Sequence, residues 1–291
     1  MQKIKRNHWV PQSYLKAFAA DADKREKIWR FGKAGGDPEL KPIEKVAVKF
    51  YLYVPQDADG QRDYAFEKRL SSLENWFGEA TWHKVCHGYV PLESEPIQKM
   101  MSLLAAVMCM RNPLQFERSK AMHRQIVEAY KALPAIPETF EHQGKTYRLD
   151  TASWPAYRDA SEDDMKRHWL STIGSIGWLA EAFMTMRWSI VFSEEPVFIT
   201  TDNPVVVMHD SLEFRGLRDA GARVYFPLSP TRLLVMDNMH NEPSGQYYPL
   251  KVGVGNFNSV LWDNALEYMF AHRHTDLVCR EIEREAESMG C

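Results

Sequence analysis

The chain has 291 residues, 45% hydrophobic and 26% charged, the balance of a folded globular protein rather than a disordered tail or a fibrous repeat. Lys and Arg number 36 against 39 Asp and Glu, a net charge of −3, so no global basic field marks a nucleic-acid binder, although a local basic face stays open. Cys86, Cys109, Cys279 and Cys291 are too far apart for a C-x-x-C metal knuckle or a small disulfide framework, and a reducing cytosol is the simplest setting. Lys3, Lys5 and Arg6 imitate the start of a secretion signal, but His8, Pro11, Gln12 and Lys16 interrupt the apolar stretch that should follow. The longest apolar run, Leu103 to Met110, is under half a bilayer span, so the expectation is a cytoplasmic protein with no membrane contact.

In chain order, Pro11 starts a short helix through Tyr14, Leu15 and Phe18, and Lys27 to Gly32 alternates as a half-buried strand. Val46 to Val54 reads as either a strand or a breaking helix. After the turn at Asp57 to Gly60, a helix carries Tyr64, Leu70, Leu73 and Phe77 on toward Val85. Pro96 opens the most hydrophobic helix, which stops at Asn112-Pro113, and a second continues through Phe116, Ile126 and Tyr130. Pro134 and Pro137 punctuate the centre, and His142 to Leu149 forms a hairpin about a Gln-Gly turn. Met165 to Phe183 reads as one striped helix, with Gly174 and Gly177 marking close backbone approach.

From Trp188 the pattern turns to strands at 188–192, 197–201 and 205–208, whose short links predict antiparallel neighbours. Strands at 223–227 and 233–236 follow, then helices over 258–272 and 275–287. The expected fold is α+β and mostly helical, helices packed around a small antiparallel β-sheet. A single domain over 1–291 is expected, with a mainly helical part at 1–186, a strand-rich part at 187–240 and C-terminal helices at 255–288.

The run Asn7-His8-Trp9-Val10-Pro11-Gln12-Ser13-Tyr14-Leu15-Lys16-Ala17-Phe18 resembles the N-terminal signature of the bacterial proteins grouped as domain of unknown function 4238. Phe198 to Val205 resembles that family's second signature, and Pro227-Leu228-Ser229-Pro230 and Arg111-Asn112-Pro113 are similar to further segments of it. The resemblance spans nearly the whole chain; it directs attention to these positions and implies no activity.

Candidate chemistry gathers at the same places. His8 precedes a helix and Asp202-Asn203 occupies a turn, both positions from which scaffolds present functional groups. The competing reading makes His8 a helix cap and the Asx pair a self-bonded turn. His8, Glu67 or Glu74, and Asp202 could form a site for a divalent cation (Mg, Mn or Zn), with His8 and Asp202 as metal ligands and an activated water. Arg111, ending an apolar helix, must find a carboxylate, a helix carbonyl or an external anion, and would clamp a phosphate in the last case. Gln12, Tyr14, Asn203 and Trp9 would orient substrate, Trp9 by stacking. The spacing of His83 and His87 lacks the glutamate of a zinc protease, and no nucleotide-cofactor motif occurs. The expectation is a metal-assisted, nuclease-like hydrolase of a phosphodiester or other phosphorylated substrate, its partner a nucleic acid or a phosphorylated small molecule. The alternative is a non-catalytic sensor, regulatory or defence-associated interaction module whose polar residues knit the N-terminal segment to the sheet.

Overall fold

The computed structural model describes residues 5–20, 26–131, 136–209, 211, 216–251 and 253–288; Lys3, Pro134 and Cys291 lie outside them. Helix accounts for 45% and strand for 22%, and the described residues hold thirteen strands in four sheets. The expected mostly helical body around one small antiparallel sheet is therefore corrected. From the N-terminal part, Lys27–Gly32 pairs with Glu39–Pro42 on one side and with the late strand Tyr268–Ala271 on the other, in a four-stranded sheet that Thr200–Thr201 completes.

The central element is a five-stranded sheet in the order Gln246–Pro249, Arg187–Phe192, Arg232–Asp237, Ala222–Ser229, Val206–His209, of which the first pair is parallel. Its strands alternate, with one register shift between Pro227 and Ser229. Trp188, Ile190, Val224, Phe226, Leu228, Leu234 and Met236 face one core, with Phe18, Trp82, Met101, Leu104 and Phe183 from the helices. Val206 and Leu233, with Val191, Tyr225 and Val235, face a second core beside Phe198, Leu261, Met269 and Val278. Both faces of the sheet are covered, which explains apolar runs such as Leu233-Leu234-Val235-Met236 that a one-sided sheet would break with polar residues. Trp188 and Phe226 are wholly enclosed, and each such side chain contributes about 1.5–3 kcal/mol through burial.

Several local expectations shift for identifiable reasons. The helix after Tyr64 runs only over Ala65–Glu74; a 3-10 turn at Asn75–Gly78 turns the chain before Ala80–His87, as Trp76 and Phe77 are drawn into the core. The striped segment splits into Glu162–Gly174 and Gly177–Thr185, and nothing lies within 4 Å of a Cβ added at Gly174 or Gly177, so these glycines break a helix and admit no neighbour. The strands near 190, 200 and 207 are not mutual neighbours: Thr200–Thr201 leaves the central sheet to pair with Tyr268–Ala271. The expected helix over 258–272 is Val254–Asp263 followed by that strand. The hairpin at Thr139–His142 and Lys145–Arg148, and the helices Glu95–Met110, Pro113–Lys131 and Thr275–Ser288, stand as expected.

The close backbone approach occurs at Gly255 instead. A Cβ there would lie 2.7 Å from the carbonyl oxygen of Glu281, where Val254–Asp263 packs on Thr275–Ser288. Gly255→Ala is expected to lower stability by about 1–3 kcal/mol through overpacking, read as a reduced urea midpoint, while Gly174→Ala, with open space around it, shows no comparable loss.

Candidate functional site

The strand Arg6–His8 pairs with Val48–Phe50, with Asn7 opposite Lys49 and His8 opposite Val48. Alternation buries Asn7 completely and turns Arg6 and His8 the other way, toward a cleft of about 520 Å³. Pro11 then caps Gln12–Leu15, which places Gln12 and Ser13 on the cleft wall. The opposite wall is helix Ala65–Glu74, from which Glu67, Ser71 and Glu74 emerge at i, i+4 and i+7, one face of a 3.6-residue repeat. Lys16 completes the rim. Three of the residues singled out from sequence as catalytic, His8, Glu67 and Glu74, thus share one polar, solvent-open hollow with Gln12.

Arg111 stands behind it, 2% exposed. Its Nη1 donates to Glu74 Oε1 at 2.6 Å, its Nη2 to the His8 carbonyl oxygen at 2.6 Å and its Nε to the Tyr53 hydroxyl oxygen at 3.2 Å, while that hydroxyl donates to the Arg111 carbonyl at 2.7 Å. Burial alone would weaken the guanidinium's hold on its proton, but Tyr53 and Glu74 outweigh that and hold it firmly charged. Every nitrogen is committed, so the expected phosphate clamp is corrected to an internal tie: Arg111 fixes the His8 backbone and the Glu74 carboxylate.

The electrostatics of the cleft follow from its walls. His8 has its pKa lowered from 6.5 to about 4, first by burial and then by the charges of Arg111 and Arg6, so the imidazole is neutral near pH 7. Glu67 is raised above the ordinary carboxylate range by burial, against the pull of the Asn7 amide and of Arg111. Asn7 Nδ2, Glu67 Oε2 and His8 Nδ1 are enclosed, and none of the three makes a hydrogen bond of good geometry inside the protein.

Asp202 lies elsewhere. Its Oδ1 accepts from the Leu266 N–H at 2.7 Å and its Oδ2 from the Glu267 and Tyr268 N–H groups at 2.9 and 3.1 Å, binding the turn at Asp202 to the start of strand Tyr268–Ala271. Burial pushes its pKa up to about 6 against these three donors. The expected pairing of His8 and Asp202 as metal ligands is not formed, since Asp202 is spent on backbone donors and does not line the cleft. Among the described residues, no group of three or more His, Cys, Asp or Glu side chains is arranged to hold a metal ion.

The N-terminal signature does meet the Asp202 turn, but through other atoms. Trp9 Nε1 donates to the Asp202 carbonyl at 2.8 Å, and the wholly buried Tyr14 hydroxyl donates to the Pro227 carbonyl at 2.6 Å and contacts Thr200 Oγ1 at 2.8 Å. Trp9 and Tyr14 are therefore struts rather than substrate contacts. Asn203 belongs to an asparagine ladder: it accepts from Asn112 Nδ2 at 3.0 Å and donates to the Asn264 carbonyl at 3.0 Å, while Asn264 Nδ2 returns a bond to the Asn203 carbonyl at 2.8 Å. Asn203 and Asn264 border a second cavity, of about 760 Å³, which His8 does not reach. Asn7, Tyr53 and Ser13 were not singled out in the sequence. Asn7 adjoins His8 in the signature, but Tyr53 carries no local signal because its partner is 58 positions away.

These features define an α+β protein with an open acid and imidazole cleft braced by a buried arginine. The chain belongs to the family described as Protein of unknown function (DUF4238), whose model matches residues 6–275, from the strand bearing His8 to the start of the last helix. No curated protein and no solved structure matches it. Among the described residues no helix is long and apolar enough to cross a membrane.

Two outcomes follow from the tie and the imidazole. Arg111→Met strands Glu74 and the His8 carbonyl and is expected to cost about 3–5 kcal/mol in urea unfolding, and Arg111→Lys, with no planar fork, recovers only part of it. Because the native pKa of His8 lies below its unfolded value, its contribution is complete above pH 6.5 and is lost as pH falls through the window to about 4. Wild type should therefore lose up to roughly 3 kcal/mol more than His8→Gln between about pH 7 and pH 4 in matched unfolding titrations.

Proposed function

We propose that the His8, Glu67 and Glu74 cleft is a hydrolytic site for a phosphodiester or other phosphorylated substrate. The observation that carries this reading is that His8 and Glu67 line one open polar hollow while each keeps an enclosed atom, His8 Nδ1 and Glu67 Oε2, without a hydrogen-bond partner in the protein. Polar groups that only hold a fold together close on one another, as Asp202, Asn203 and Tyr14 do here. Unsatisfied groups beside solvent-filled space are the arrangement of a site that receives a ligand.

In this reading Glu67 handles the proton. Burial moves its pKa toward the working range of a general base, so its carboxylate takes a proton from a water as the water oxygen bonds to phosphorus. The P–O ester bond breaks, and the departing oxygen is protonated from the solvent that reaches the cleft. The neutral His8 imidazole hydrogen-bonds the water or a phosphoryl oxygen, and Gln12 and Ser13 orient the substrate. Arg6 at the rim supplies positive charge that attracts phosphate, beside Lys16, whose ammonium is shared with Glu26 at 3.0 Å. Arg111 is a positioning residue for His8 and Glu74. A divalent cation of the Mg, Mn or Zn class finds no ready ligand in Asp202, whose oxygens are already engaged, and no three-ligand set among the described residues, so the hydrolytic step runs through Glu67 alone.

The non-catalytic module is the second reading, and the closed network joining Trp9 and Tyr14 to the sheet favours it for that part of the chain. The two are separated by incubating the purified protein with nucleotides, oligonucleotides and an aryl phosphodiester, with Mg, Mn or Zn and with chelator. Turnover that falls by about 100-fold or more in Glu67→Gln, with the thermal transition preserved, is the expected result. Absence of turnover under every condition, or full activity in Glu67→Gln, rejects the hydrolytic reading.

A further inference from the structure

Among the described residues three arginines are buried: Arg111, Arg187 and Arg232. The first is paired with Glu74, and the second forms a two-pronged ion pair with Asp237 at 2.8 and 2.6 Å. Arg232, 7% exposed, has no carboxylate and no side-chain hydrogen bond; its Nε and Nη1 are enclosed without partners. An enclosed guanidinium keeps its charge, so this departure from the other two requires an explanation.

The surroundings supply part of one. Arg232 opens the strand Arg232–Asp237, just after the Pro227-Leu228-Ser229-Pro230 segment and opposite Phe192 in register. Its guanidinium carbon lies 5.4 Å from the ring centre of Tyr89, 5.8 Å from that of Tyr247 and 5.9 Å from that of Phe192. Three aromatic rings can help to solvate a cation, but a ring face is a far weaker acceptor for its N–H groups than an oxyanion. Two neighbouring hydroxyls are occupied: Tyr247 bonds the Val90 backbone, and Ser229 bonds the Cys86 carbonyl and Thr231. Tyr89 is 68% exposed and lies on the solvent side of the cluster, so it is the ring whose movement would admit a ligand to the enclosed guanidinium. His83 and His87, ring centres 4.8 Å apart on an exposed helix face, add no negative charge, and the Arg232 field helps to depress His87 after burial and His83.

We propose that Arg232 and the ring cluster of Tyr89, Phe192 and Tyr247 form a binding site for a small anion, recognised by its carboxylate or phosphate oxygens. The site is independent of the hydrolytic cleft, none of whose lining residues it shares. Nε and Nη1 each share an edge of the guanidinium with Nη2, so either edge presents two roughly parallel donors to two oxygens of one oxyanion, and the exposed Tyr89 ring offers a stacking face to an aromatic group carried by it.

Calorimetric titration of the full chain with inorganic phosphate, acetate, phenyl phosphate and benzoate tests this. Saturable binding is expected within the phosphate pair, the carboxylate pair or both, and the responding pair assigns the group recognised. The aryl form should bind tighter, and Arg232→Met should weaken binding by about tenfold or more. If Arg232→Met does not fold, Tyr89→Ala carries the test by removing the advantage of the aryl ligand. Absence of saturable binding for all four probes on the wild-type chain, or affinities unchanged in Arg232→Met or, in its place, in Tyr89→Ala, overturns the proposal.

Discussion

The candidate site depends on one enclosed positive charge. Arg111 ends an apolar helix, and its guanidinium reaches a carboxylate on a second helix, a backbone carbonyl at the end of an N-terminal strand and a tyrosine hydroxyl from the loop that follows Val48–Phe50. Removing such a charge from water is expensive unless every donor is used, and here each nitrogen is used. The expense is offset only when the partners arrive in one geometry, so the same bond set that satisfies Arg111 also specifies where His8 and Glu74 stand. A cation spent on stability is thereby also the reason the cleft has a shape.

Around this tie the chain separates two kinds of polar residue. Asp202, Asn203, Trp9 and Tyr14 close their hydrogen bonds inside the protein and join the turn after Thr200–Thr201 to both ends of the sequence. His8 and Glu67 leave atoms unmatched beside an open hollow. Low-dielectric surroundings make both behaviours consequential: satisfied groups rigidify, and unsatisfied groups hold a standing preference for whatever can pair with them. The family signatures contain both kinds.

Much of this was legible in the amino-acid pattern. The strand Lys27–Gly32, the helix stopped by Asn112-Pro113 and the exposed hairpin follow from alternation, proline and a Gln-Gly turn whose two residues adopt positive φ. His8, Glu67, Glu74 and Gln12 were picked out and do share a cleft. Apart from the local helix breaks at Asn75–Gly78 and Gly174–Gly177, the failures share a cause, which is that pairing partners far apart in sequence leave no local trace. Arg6–His8 and Gln246–Pro249 are too short to show a period, and Tyr268–Ala271 reads equally well as the end of a helix until Lys27–Gly32 is seen beside it. Asp202 was misjudged for the same reason: its three donors come from residues 64 to 66 positions downstream. An Asx-Pro turn shows that a carboxylate is near the backbone, without showing which backbone.

The alternation of Lys27–Gly32 and Tyr268–Ala271 has a further effect. Ile28 and Phe270 enter one core, while Trp29, Phe31, Met269 and Ala271 enter the other. A slip of one residue along either strand would exchange these sets, thrusting an indole into space shaped for an isoleucine on one side and leaving a void on the opposite side. Misalignment is thus punished twice, in two places at once, and the N- and C-terminal halves can zip together in only one frame.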